Sequence, residues 1–166
     1  MRNFKTFVLI ALMTVGFNSM QAQKVAHVNT QDILELMPEI KAMDADLEKM
    51  GKTFEDDIKK AAEDLQAKMT KYNSEGATQT AETNKKRQEE VVKEEQALYA
   101  AQQQAQQALQ NRRNELLKPI IDKLTKAIED VAAEQNIDYV MDRTSLIVAK
   151  GTDLKSLVLA KLNITE

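Results

Sequence analysis

The chain has no cysteine and no tryptophan, one histidine, two prolines and four glycines among its 166 residues. Without cysteine there can be no disulfide framework and no lipoprotein anchor. One histidine with no thiol is a poor donor set for zinc, whose sites are built mainly from Cys and His; neither a metal nor another cofactor is expected. After residue 22 the only aromatic residues are Phe54, Tyr72, Tyr99 and Tyr139. What fills the chain instead is Ala, Gln, Glu, Lys and Leu, with 30% charged residues, a composition of long helices rather than of a compact mixed globule. An exported small protein without disulfides must find stability elsewhere, commonly by oligomerising.

Long hydrophobic runs are also absent, with one short exception at the start. Arg2 and Lys5 precede an apolar run from Phe7 to Phe17, and Ser19 to Ala22 are small or polar. Residues 1–22 thus read as a signal peptide cut after Ala22, although Met20 fits the small-residue rule at the −3 position loosely. The run is shorter than the roughly 20 residues that a membrane span takes, and no second one follows. The mature protein is expected to be exported and soluble. Loss of Arg2 and Lys5 takes the basic count from 23 to 21 against 26 acids, about −5. Nucleic acid is therefore an unsuitable ligand, because affinity for it rests on neutralising phosphates.

"KVAHVN", residues 24–29, alternates and is partly β-branched, which predicts a short strand. "TQDILELM" predicts a brief helix capped by Asn29 or Thr30, and Pro38 suits the first turn of another. From there Ile40, Met43, Leu47, Met50, Phe54, Ile58, Ala61, Leu65, Met69 and Tyr72 recur at steps of three or four, one apolar stripe along a long helix. "YNSEGATQT" interrupts it with turn residues. A second helix is expected from about Thr80 to Gln135, sparse at first and dense from Leu116 to Val131. Pro119 inside it should kink it, and Asn136 can take the left-handed conformation that ends it. The period then changes: "IDYVMD" (137–142) and "SLIVAK" (145–150) predict two strands joined by a tight turn at Arg143 and Thr144. "GTDLKSLVLAKLN" predicts a closing helix capped by Thr152 or Asp153. For the strands at the two ends to share a sheet, the long helices must fold back on each other. At about 1.5 Å per residue, each arm would be on the order of 50–60 Å long.

The expected fold is α+β: residues 23–37 and 119–166 form a small body, and 38–118 form a helical hairpin arm with its tip near 72–80. That arm poses a problem of side-chain bulk. "LYAAQQQAQQALQ", residues 98–110, is strongly helical yet offers little to pack. The first arm still carries Met43, Met50, Phe54, Ile58, Leu65 and Met69. Either these large residues pack on the Ala-rich face opposite, or part of the stripe lines a groove for an apolar ligand. With Val91, Leu98 and Tyr99 of the second arm they are the candidate binding residues. Flexible thioethers suit a surface that must adapt to varied partners.

Three stretches carry a family resemblance: "KVAHVNTQDILELMPEIKAM" at the front, "LLKPIIDKLTKAIEDVAAEQNIDYVMD" after the second arm, and "TDLKSLVLAKLN" at the end. In their order and spacing the chain resembles the Skp/OmpH family of periplasmic chaperones. The resemblance implies a jellyfish-like homotrimer, with strands of three subunits in a β-barrel-like body and three coiled-coil arms around a cavity. It further implies that unfolded outer-membrane proteins are held there without ATP, in the periplasm. Members of the family are commonly basic, whereas this chain is acidic. A local excess remains in residues 68–88, where Lys68, Lys71, Lys85, Lys86 and Arg87 face Glu75 and Glu82. That cluster is either a solvated tip or a weak contact for a membrane surface or lipopolysaccharide.

Nothing in the sequence points to an enzyme. His27 lies in a strand, Ser74, Ser145 and Ser156 lack a base in a recognisable motif, and there is no Gly-rich phosphate loop. Two rivals to a chaperone are a periplasmic coiled-coil adaptor and a lipid- or lipopolysaccharide-binding protein. The adaptor would be expected to carry unbroken Leu/Ile heptads to its tip, which the stretch from Lys85 to Leu109 does not. The lipid binder would need a more basic surface.

Overall fold

The computed structural model describes residues 23–165; the segment expected to be a signal peptide lies outside them. The chain divides into two units, residues 23–30 with 127–165 and residues 31–126, and each is held together differently.

The larger unit is built on helices. Helix α1 (Thr30–Leu36) ends at Met37, whose extended backbone (φ −69°, ψ 127°) is what a residue preceding proline adopts. Pro38 then opens α2 (Pro38–Glu75), a helix of 38 residues that runs through Asn73 and Ser74. The turn falls slightly later than the sequence suggests, as a 3-10 turn over Gly76–Thr78. Gly76 sits at φ −54°, so the turn does not call on glycine's access to the left-handed region. The Thr80 hydroxyl accepts the Thr83 N–H at 3.1 Å, capping α3 (Ala81–Glu134). Asn84 Nδ2 donates to the Gly76 carbonyl at 2.9 Å and closes the loop. Helix α3 continues through the exposed Pro119 without a break.

Cross-pairs show that α2 and α3 run antiparallel. Lys123 meets Glu39, Arg112 Nε reaches Asp46 at 2.9 Å, Lys68 meets Glu90 and Glu94, and Arg87 reaches Glu75 at 2.6 Å. Such exposed pairs are individually weak, but they fix one register along a seam with little apolar bulk. Burial in this unit is uneven. Ile33, Met37, Met43, Ile120 and Leu124 are buried, whereas between Gly51 and the tip only Leu65 and Ala105 are.

The smaller unit is a three-stranded sheet in the order β2–β1–β3, with β1 (Val25–Val28) in the centre, β2 (Tyr139–Asp142) on one edge and β3 (Thr152–Asp153) on the other. Both edge strands are parallel to β1, with Val25 opposite Tyr139 and Ala26 opposite Thr152. The expected hairpin between 137–142 and 145–150 does not form. A two-residue hairpin loop needs φ > 0 residues such as Asn-Gly, which Arg143 and Thr144 do not supply. Instead, Asp142 accepts the Thr144 N–H and hydroxyl at 2.8 and 2.6 Å, winding Arg143–Ser145 into a 3-10 turn. Its carboxyl is held below the usual range by Thr144 and then by Thr30. Residues 146–150 form no strand, and the chain crosses to the far edge of β1 before pairing.

Ala26 and Val28 are buried with Ala127 and Val131 from the end of α3 and with Leu154, Val158, Leu159 and Leu162. The last four belong to or flank α4 (Lys155–Lys161), whose first turn is capped by Asp153 through the Lys155 N–H at 2.9 Å. Asn136 (φ 51°) ends α3 in the left-handed conformation that its position suggested. Among the described residues no helix is long and apolar enough to cross a membrane.

Gly51 lies inside α2 at ordinary helical φ, and a Cβ there would stand 4.0 Å from Leu109 Cδ1, an ordinary contact. Gly51→Ala should therefore stabilise the hairpin by roughly 0.5–1 kcal/mol. Thermal unfolding followed by far-UV circular dichroism should show a raised midpoint; an unchanged or lowered one would mean that α2 and α3 pack more tightly at this level than the contact indicates.

Candidate functional site

Where the large stripe of α2 meets the small residues of α3, the helices leave a groove of about 830 Å³. Phe54, Ile58 and Leu65 line it from α2, one or two turns apart. From α3 come Leu98 and a row of alanines, Ala97, Ala101, Ala105 and Ala108, spaced so that they share a helix face. The stripe is covered at some levels and open at others. Leu65 and Ala105 are each only 7% exposed, while Phe54, Ile58 and Leu98 remain half-buried along an open channel.

The other candidates divide in the same way. Met43 is buried nearer the α1 end, and Met50 is half-buried. Met69 and Val91 line a separate groove of about 470 Å³ by the tip, beside Tyr72 and Arg87. Tyr99 is 64% exposed and lines neither groove. Sequence reasoning did not single out Asp57 and Asp64 at the main groove's edge. Their spacing of seven could have placed them on one face, but with so many acids in α2 nothing marked these two.

The basic cluster is mostly engaged within the chain. Lys68 Nζ lies 2.8 Å from Glu90 Oε1 and also bonds Glu94, which holds its amine well above the usual lysine range. Arg87 pairs with Glu75, and its guanidinium carbon stands 4.5 Å above the Tyr72 ring, a cation–π contact. Lys86 bonds Glu82 one turn before it; Lys71 and Lys85 are exposed. Counting charges along residues 68–88 overstated the free positive charge, because Glu90 and Glu94 lie just beyond that window and fold back onto Lys68. Among the described residues no group of three or more His, Cys, Asp or Glu could hold a metal ion.

The profile of a family described as outer membrane protein (OmpH-like) matches residues 24–162, nearly all of the described chain. The chain belongs to this OmpH-like family. The chaperone protein Skp of Pectobacterium atrosepticum is 26% identical over 155 residues, covering 92% of this chain and 94% of the relative. Skp of Yersinia enterocolitica is 26% identical over 140 residues, covering 84% and 85%. A solved OmpH-like structure from Caulobacter crescentus CB15 superposes with a TM-score of 0.75 over 87% of this chain and 86% of that one. At 16% identity the likeness is one of fold. The OmpH-like match runs from β1 to the end of α4 and so includes the helices that form the groove.

Glu90 joins both helices, accepting from Lys68 and, at 2.8 Å, from the Tyr72 hydroxyl. These bonds, that of Lys68 foremost, hold its carboxyl below the ordinary value of 4.5. A carboxylate with a lowered folded pKa contributes stability above its unfolded value and loses it as pH falls through the folded one. The OmpH-like hairpin should thus weaken as pH falls below 4.5 at low ionic strength. Glu90→Gln, lacking that charge throughout, should show a shallower loss in the same window. Equal slopes in parallel acid titrations would show that the pair contributes nothing to holding α2 on α3.

Proposed function

We propose that this protein is an ATP-independent periplasmic holdase that keeps unfolded outer-membrane proteins from aggregating, binding them in a cavity between the arms of a homotrimer. The observation that carries the proposal is the half-open groove, where Phe54, Ile58 and Leu98 stand partly exposed on helices too poorly matched to cover them. Membership of the OmpH-like family and likeness to Skp chaperones support the same reading.

Energetics favour a multi-armed arrangement. Burying one large apolar side chain is worth roughly 1.5–3 kcal/mol, while association costs on the order of 4–15 kcal/mol. One such side chain is insufficient, and several contacts drawn from more than one arm suffice. Unfolded polypeptide, with apolar residues in many places, satisfies that requirement; a folded polar protein does not. No step calls for nucleotide, metal or covalent chemistry.

A trimeric, barrel-like body is supported by the apolar surface of the smaller unit. Val25, Tyr139 and Met141 share one face of the sheet and are about half exposed. Ile147 is 103% exposed and Val148 67%, in a segment of strand-like alternation that pairs with no strand among the described residues. Subunit association would cover both. Export by a signal peptide cut after Ala22 is part of the proposal. Contact of the tip with a membrane surface or lipopolysaccharide is the weaker reading, because Lys68, Lys86 and Arg87 already pair with carboxylates.

The direct test dilutes a urea-unfolded outer-membrane β-barrel protein into buffer with and without the purified chain. Suppressed light scattering at a stoichiometric amount of trimer, with no nucleotide, is expected; unchanged scattering would reject the holdase and favour an adaptor. Phe54→Glu and Leu98→Glu should each weaken that suppression severalfold while sedimentation still shows a trimer. Dissociation of the assembly by either substitution would place these side chains in structural packing rather than in client binding.

A further inference from the structure

The main groove has a charge pattern as well as an apolar floor. Asp57 and Asp64 stand at its edge on α2, two turns apart, so about 10 Å separates them along the helix. Both are exposed, and neither makes an ion pair among the described residues. The lysine that also lines the groove, Lys68, does not offset them, because Glu90 and Glu94 already hold it. A channel with a half-buried Phe, Ile and Leu along its floor is thus lined by two carboxylates without an ion pair and, among the described residues that line it, by no free cation.

We propose that this groove selects non-native segments in which a large apolar side chain is bracketed by Lys or Arg. The inference rests on the holdase reading and adds a sequence preference to it. A segment entering the channel buries its apolar side chain on Phe54, Ile58 and Leu98 and brings its neighbours up to the rim. Acidic neighbours meet Asp57 and Asp64 with like charge and are repelled; basic ones meet them with opposite charge. Lys and Arg add a second advantage, since their aliphatic stems lie along apolar surface while their charged heads reach outward. The spacing fits an extended chain, which covers about 10 Å in three residues at roughly 3.3 Å each. Cations three or so residues apart, on either side of the apolar one, would each find a carboxylate.

The test uses the full-length mature protein and three fluorescently labelled peptides with one Phe-Leu core, flanked by Lys, by Ser or by Glu. Fluorescence anisotropy at low ionic strength should rank them Lys, Ser, Glu, with about a tenfold spread between the extremes. Molar salt should compress that spread. The double substitution Asp57→Asn with Asp64→Asn should bring the three within about twofold of one another. Equal binding of all three to the wild-type chain would overturn the selectivity and leave the holdase standing. So would a preference for Lys that survives the double substitution, since the cations would then be read elsewhere. Failure of every peptide to bind, together with undiminished aggregation of an unfolded β-barrel protein, would overturn both readings.

Discussion

Two helices hold each other only as firmly as their facing side chains interdigitate, and over much of α2 and α3 those side chains differ in size. Phe54, Ile58 and Leu65 project from α2 toward Ala97, Ala101, Ala105 and Ala108 on α3. Alanine keeps a helix well formed at no side-chain entropic cost, but it fills little of the space opposite a phenylalanine. The hairpin therefore persists as two good helices with an incomplete interface between them. The groove, the half-buried apolar surface and the dependence on polar cross-pairs all follow from that mismatch. A run of leucine where the alanines stand would close the groove, and the surface on which the proposed function rests would go with it.

Stability is distributed to suit. At the end of the hairpin near α1, Met37, Met43, Ile120 and Leu124 are buried, and the smaller unit has its own core around Val28, Val131 and Val158. Toward the tip the seam thins, and ion pairs such as Arg87–Glu75 and Lys68–Glu90 do more of the aligning. Helices held in this way can open or slide locally at little cost, whereas helices joined by a packed core cannot. For the proposed holdase, which would accept many unrelated unfolded chains, a compliant surface on a regular backbone is an economical arrangement.

The apolar surface of the smaller unit is a different matter from the groove. Its exposed residues, Val25, Tyr139, Met141 and Ile147 among them, lie on a sheet face and an extended segment, where a backbone edge and a flat patch favour rigid association with another subunit. The groove residues lie on helices and line an open channel. One surface suits a permanent contact between subunits and the other a transient, variable one. Separating the two in the fold allows client binding to change without disturbing the assembly proposed for the body.

Periodicity in the sequence determined most of the elements. A strand from Val25, a helix from Pro38, a second from about Thr80, the left-handed stop at Asn136 and the closing helix are local matters of turn chemistry and apolar spacing, legible because each is decided by neighbours in the chain. The family, too, was legible, from the order of its three end segments. Tertiary structure decided what depends on distant partners. "SLIVAK" has the alternation of a strand, yet pairing needs another backbone at the right distance, and Asp142 turns the chain away before one is reached. Leu65 is covered and Phe54 is not, although both belong to one stripe, because burial depends on which residue of α3 lies opposite. Lys68 counted as a free cation until the fold brought Glu90 and Glu94 to it. A linear pattern records which face a side chain occupies; only the packed pair of helices decides what that face meets.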